Sequence, residues 1–420
     1  MTTPSPAVSI PATVNKHTLE TAYRVLQIGC LAVILVVLGT VFRLGSSPTI
    51  AFAFSGAFLL HMALRPSRCE LVTVVVCAAM FGVVYYVLHG DVTSFFGATI
   101  AVPCAFLGLG SLLVMVGRWF WAPEAEKRFH LERAKDVILI PAVSVCSTVA
   151  LNLAVDFTPI TYDRLLYVFD LKFGGPPSWM VGGLLRTYPW LLQVCGAVYN
   201  SLPLGLAAGM AIQLRDRKHA KPNALRSADL RWLTVALGIV GFLLYQVCPV
   251  AGPLYLFGKD FPFHVPDLTG WAIQPAWLMP AARNGMPSLH VGWTLLLFWN
   301  IRRRNWWMGV LSAAYLVLTA LATLGFGEHY LADLMVAPAL ALAIQAACTR
   351  TGSRIASQVR WVALATGAAI TLVWLMAFRT GAALRIPEGA ATWTIAIVSV
   401  VLPAIAAWQL ERASNKCSPI

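Results

Sequence analysis

The sequence predicts an all-α protein, a polytopic membrane bundle of about 12 transmembrane helices. Of its 420 residues 58% are hydrophobic, and the mean hydropathy is +0.72. Only 12% are charged, about half of the ~25% typical of soluble domains. The apolar residues also fall in runs near the ~20 needed to cross a hydrocarbon core of ~30 Å. An ordinary soluble enzyme is thereby excluded.

In chain order, apolar windows place spans at 25–42, 48–64, 71–88, 94–117, 137–155 and 189–214, then at 232–248, 287–300, 306–324, 330–348, 361–378 and 391–408. Windows 48–64 and 287–300 are short for a full crossing. The polar leader 1–24 has no small-residue cleavage site after the first run, so that run reads as a retained span. Residues 118–136, with Trp119, Phe120 and Trp121 ahead of mixed charge, read as an interfacial helix. No internal repeat is visible.

Charge supplies the orientation. With the N-terminus inside, only Arg43, Arg164, Lys172, Arg186, Lys259, Arg283, Arg379 and Arg385 of the 31 basic residues fall outside. This asymmetry is that of cytoplasmic loops. It predicts a multi-pass protein of the cell (inner) membrane with both termini cytoplasmic. The net charge of +13 comes in short clusters without an aromatic-interleaved basic face, so nucleic acid is a poor partner. The nine cysteines form neither a disulfide framework nor a zinc spacing.

Two outer connections, 156–188 and 249–286, are long and rich in Pro, Gly, Tyr and Asp, as suits ordered loops covering a site. Two histidines stand at outer span ends beside them. His290 closes Arg283-Asn-Gly-Met-Pro-Ser-Leu-His290, and His329 stands four residues before Asp333 in Gly325-Phe-Gly-Glu-His329-Tyr-Leu-Ala-Asp333. Helical spacing of four lets the carboxylate hold one ring nitrogen and leave the other free, as an imidazole nucleophile or base requires. The helix start at His329 would disfavour protonation of the ring, and Pro287 suits the first turn of the other helix. Free amides at both starts would cradle a phosphate. Arg283 could add a planar donor fork, and it could equally be an interfacial anchor. Ser288 could touch phosphate or merely cap its helix. A zinc set of His290, Glu328 and His329 is awkward, because adjacent helical residues diverge by about 100°.

Pro287-Ser288-Leu289-His290 with His329-x3-Asp333 resembles the second and third motifs of the type 2 phosphatidic acid (lipid phosphate) phosphatase superfamily. The His-Tyr-x-x-Asp form is similar to its inositol phosphorylceramide synthase branch. The resemblance implies a six-helix phosphatase-like core, a phosphohistidine at His329 oriented by Asp333, His290 as general acid, and Ser288 helping to hold the phosphoryl group. The core corresponds to 137–348, between N-terminal membrane helices with the interfacial segment (25–136) and C-terminal helices with the tail (349–420). Ala322 and Thr323 replace the usual Ser-Arg, and Lys-x6-Arg-Pro is missing: Arg65-Pro66 has Phe58 in the place of Lys. The phosphate-binding residues must then come from elsewhere, with Arg283 the first choice and Lys259 and Tyr255 the next. Tyr255 ends a Tyr/Pro-rich stretch from Tyr245 that resembles the inositol phosphotransferase branch.

The expected function is an integral membrane phosphoesterase or phosphotransferase acting on a lipid-linked phosphate at the extracytoplasmic face, with water or an alcohol as acceptor. Neutral imidazole attack needs neither metal nor cofactor. The alternative is a transporter or lipid translocase using His and Asp as relay groups. A lipid-linked-sugar glycosyltransferase would need an acid in the first outer loop, and 43–49 has none.

Overall fold

A computed structural model describes residues 48–89, 101–219, 228–278 and 281–415. The expected span 25–42, the leader, and Lys16, Arg24, Arg43, Lys221, Arg226 and Lys416 lie outside the described residues. Four helices open the described chain: α1 (Pro48–Ala63), α2 (Arg68–His89), α3 (Ala101–Trp121) and α4 (Glu124–Phe157). Strand β1 (Ile160–Thr161), α5 (Asp163–Leu171) and α6 (Pro177–Thr187) follow, then α7 (Pro189–Asn200), α8 (Leu202–His219) and α9 (Leu230–Tyr245). After α10 (Pro253–Phe257) and β2 (Ala276–Trp277) come α11 (Leu289–Ile301), α12 (Trp306–Gly325), α13 (Leu331–Cys348), α14 (Arg354–Arg379) and α15 (Ala390–Asn415). The protein is an all-α, multi-pass membrane bundle.

Seven described helices are long and apolar enough to cross a membrane: α2, α3, α4, α12, α13, α14 and α15. The pair α7 and α8 makes an eighth if counted as one span, while α1, α9 and α11 are shorter apolar helices. The expected twelve full crossings are therefore not all present as such among the described residues. The window 189–214 is broken by a 57° bend between α7 and α8. Pro203 lies just beyond the break and lacks the amide that would continue the helical ladder. The expected interfacial helix at 118–136 is also absent as a separate element: α3 runs to Trp121, and α4 runs unbroken from Glu124 to Phe157. Pro123 is its N-cap, where the missing donor costs nothing, and the mixed-charge turns simply continue into the apolar span.

One core runs through the bundle and contains Leu60, Met210, Leu233, Leu237, Leu296 and Leu340. A second, more aromatic core lies under the connections 156–188 and 249–286, where Tyr167, Phe169, Trp179, Phe257, Phe261, Tyr330, Trp374 and Phe378 pack together. The helix α13 belongs to both and is 72% buried. Strands β1 and β2 pair antiparallel and join the two connections. Away from this aromatic end, ion pairs tie the helix ends: Arg302 and Arg303 to Glu411, Arg304 to Asp216, and Arg231 to Asp136 and Asp229.

The N-terminal helices pack through glycine. A Cβ on Gly108 of α3 would stand 1.9 Å from the Phe54 carbonyl oxygen of α1, and one on Gly110 would stand 2.6 Å from the Val74 carbonyl oxygen of α2. Backbone cannot yield as a side chain can, so Gly108→Val should force α1 and α3 apart. We expect it to destabilise the protein by about 2 kcal/mol or more, measured by unfolding in detergent. Gly183→Ala, where no atom lies within 4 Å of the added carbon, should change stability by less than ~1 kcal/mol.

Candidate active site at the starts of two helices

The turn between α12 and α13 carries His329. Gly327 has φ +72°, and a Cβ there would lie 2.7 Å from the Phe261 ring, so glycine is required twice over. The His329 amide donates to the Thr323 carbonyl at 3.1 Å, and its own carbonyl accepts from the Ser178 hydroxyl at 2.9 Å. The residue is thus pinned at both ends of its backbone. It stands two residues before the first residue of α13 and is fully buried. Asp333 reaches back from the first turn: its Oδ2 lies 3.3 Å from His329 Nδ1 and accepts the Tyr330 amide at 2.8 Å. With the carboxylate ionised, Nδ1 carries the proton and Nε2 presents its lone pair.

Ser288 is the N-cap of α11, where its Oγ accepts from the Val291 amide. Pro287 therefore lies ahead of the helix rather than in its first turn. The Ser288 amide donates to the Asp333 carbonyl at 3.2 Å, and Oγ lies 3.2 Å from His329 Nε2. The two helix starts are stitched together, with the serine hydroxyl set against the free nitrogen of the imidazole. His290, the second residue of α11, has its ring centroid 6.2 Å from that of His329 at 68°. The Tyr199 ring of α7 stacks on His290 at 4.2 Å and 15°. His329, Asp333, Ser288 and His290 are brought into one place.

The other expected residues are not. Arg283 is 1% exposed, and its guanidinium donates to the carbonyls of Thr158, Ala281, Pro159 and Leu278 at 3.0, 2.7, 3.4 and 3.4 Å. It pins the end of α4 to the chain that follows β2, which differs from the phosphate fork expected of it. Lys259 is exposed in a 3-10 turn after α10. The Tyr255 hydroxyl donates to Glu328 at 3.2 Å, and burial raises the Glu328 carboxyl above its usual range. That engagement turns Glu328 toward tyrosine.

Sequence reasoning passed over two aspartates of α5. Asp170 accepts the Leu331 amide at 2.8 Å and the Ala332 amide at 3.2 Å, and so takes the first donors of α13. Phosphate cradled by the amides of both helix starts is thereby corrected: at α13 those amides are already occupied. Asp163 accepts the Ala251 amide at 3.1 Å and the Gly252 amide at 2.7 Å. The available signal was their spacing of seven, two helical turns, in the connection 156–188. Burial lifts Asp170 well above the usual carboxylate range. It also pushes Asp163 up to about 6, with Asp333 adding to the rise while the Gly252 and Ala251 amides and the Thr161 hydroxyl oppose it.

Residues 164–347 match the family model of the PAP2 superfamily. No curated protein and no solved structure matches the chain. The matched stretch is under half of the chain, and it is this stretch that is similar to the superfamily. The match does not favour the transport alternative.

A raised Asp163 means that the folded protein binds more protons than the unfolded chain between pH ~4 and about 6, so its contribution to stability falls as pH rises through that window. Asp163→Asn has no such step. The unfolding free energy of the wild type relative to this variant should decline by on the order of 2 kcal/mol between pH 4 and 7, read from paired detergent melts.

Proposed function

We propose that this protein is a membrane phosphoesterase or phosphotransferase that works through a phosphohistidine on His329, at the extracytoplasmic face. The observation that carries the reading is one imidazole held between two partners: Asp333 on Nδ1 at 3.3 Å and Ser288 on Nε2 at 3.2 Å, with a second imidazole 6.2 Å away, centroid to centroid. A nucleophile backed by a carboxylate and facing an acid across one tetrahedral group is what covalent phosphoryl transfer needs.

In the first step a lipid-linked phosphate enters between the rings, and the Ser288 hydroxyl turns from Nε2 to a phosphoryl oxygen. Nε2 attacks phosphorus, and the bond from phosphorus to the leaving oxygen breaks. His290, which takes up a proton from solvent once the phosphate's negative charge stands beside it, gives that proton to the leaving oxygen. The ring of His329 becomes positively charged, and Asp333 stabilises it through Nδ1–H. In the second step neutral His290 takes a proton from water or an alcohol, whose oxygen attacks phosphorus and releases His329. Water makes the reaction a hydrolysis, and an alcohol makes it a transfer. Similarity of His329-Tyr-x-x-Asp333 to the inositol phosphotransferase branch supports transfer of a phospho-head group.

The imidazolium of His290, the Ser288 hydroxyl and the start of α11 face the phosphate's negative charge. In this reading Arg283 acts from behind, as a pin for the loops. Charge supports an extracytoplasmic site: Arg231, Arg302, Arg303 and Arg304 lie at the end of the bundle away from it, as suits a cytoplasmic end. The exposed Phe263 and Trp277 of the connection nearer the site suit the outer membrane interface.

Purified protein incubated with labelled phosphatidic acid or phosphatidylinositol should release product and yield an acid-labile label on His329. An added alcohol should divert product from the hydrolysed to the transferred form. His329→Ala should remove both turnover and label. His290→Ala should slow turnover by about 10²–10⁴-fold while the protein still purifies folded. Undiminished activity in both variants would overturn the assignment.

A further inference from the structure

Asp163 and Asp170 take no part in the chemistry just described, yet both are buried carboxylates, 0% and 1% exposed. Two turns apart on α5, they leave the same face of that helix. Each holds a pair of backbone amides, and both pairs lead to His329.

Asp170 works on the start of α13. The Tyr330 amide goes to Asp333 Oδ2, the Leu331 amide to Asp170 Oδ2 and the Ala332 amide to Asp170 Oδ1. Three consecutive amides are therefore shared between two carboxylates, and the one on Asp333 also holds Nδ1 of the nucleophile. A shift of this turn moves Asp333 relative to the imidazole. Asp163 works from the other side. It fixes the Ala251 and Gly252 amides, Gly252 packs so closely that a Cβ would lie 2.5 Å from the Glu328 carbonyl oxygen, and the Leu254 amide donates to Gly327 at 2.9 Å. Glu328 precedes His329 in the chain.

We infer that Asp170 is a positioning residue for phosphoryl transfer at His329, with Asp163 as the second anchor, so that α5 is the backplate of the site. The inference rests on the reading of His329 as nucleophile. One property of a carboxyl group matters here: it offers an acceptor oxygen to each of two amides, whereas an asparagine offers one and turns its own donors on the other.

The test uses full-length protein in detergent with two probes: phosphatidic acid for turnover, and orthovanadate, which binds a phosphoryl-transfer nucleophile without turnover. Asp170→Asn should lower kcat ten- to a hundredfold with KM within about twofold, and should weaken orthovanadate at least tenfold. In an Asp333→Asn background the same change should cost much less, because both act through one imidazole. Asp163→Asn should lower kcat in the same sense by a smaller factor, and it carries the test should Asp170→Asn not fold. An Asp170→Asn protein with wild-type kcat and orthovanadate affinity, whatever its melting temperature, would make Asp170 a helix cap only. Full multiplicative loss in the Asp333→Asn background would also overturn the inference. Failure of the underlying reading looks different: His329→Ala would then keep turnover and orthovanadate binding alike.

Discussion

An aspartate and a histidine, both fully buried beside each other in an apolar bundle, are stable only if nearly every polar atom around them is matched. That requirement governs the end of the protein where His329 and Asp333 meet. An unpaired buried charge costs several kcal/mol, and the surroundings supply partners from unrelated parts of the chain. Ser178 comes from α6, Thr323 from the last turn of α12, Ser288 from the cap of α11 and Asp170 from α5. With its backbone amide and carbonyl and both ring nitrogens engaged, the imidazole has little freedom to turn. Gly252 and Gly327 both have positive φ, and a Cβ would meet the Glu328 backbone at the first and the Phe261 ring at the second.

The two cores divide the work. The bundle core is aliphatic, with short side chains and glycine letting helices approach, and it fixes the axial position of α11 and α13. The aromatic core beneath the connections 156–188 and 249–286 holds α5, α6 and α10 against the start of α13 through large, rigid rings. Such rings bury much surface at little loss of side-chain freedom, which suits a layer that must keep loops in place. Arg283 belongs to the same scheme: four carbonyls around one guanidinium join two separate stretches, the end of α4 and the chain after β2.

The fold class was legible from hydropathy because a bilayer demands long apolar runs. The element boundaries were less so. Hydropathy does not register a bend when both halves are apolar, so the break between α7 and α8 was read as one span. Nor does a change from mixed charge to apolar residues end a helix, so α4 was expected to begin later than it does. In the site, His290, Ser288, His329 and Asp333 were legible because two of the links are local: His329 to Asp333 across four residues and Ser288 to His290 across two. Arg283 was legible as a cation of interest, and its burial and partners were not, since backbone carbonyls leave no mark in a sequence. The partners of Asp163 and Asp170 were hidden for the same reason, being amides about ninety and one hundred and sixty residues away.

By itself, then, the sequence determined an all-α membrane protein and the residue types of the candidate site, because both depend on composition and on short, regular spacing. Only the tertiary structure decided that the amides opening α13 belong to Asp170, that Arg283 faces carbonyls, and that Ser288 stands against the free nitrogen of His329. Those outcomes depend on which distant backbone groups are left without water once the helices pack, and that is a property of the packed whole.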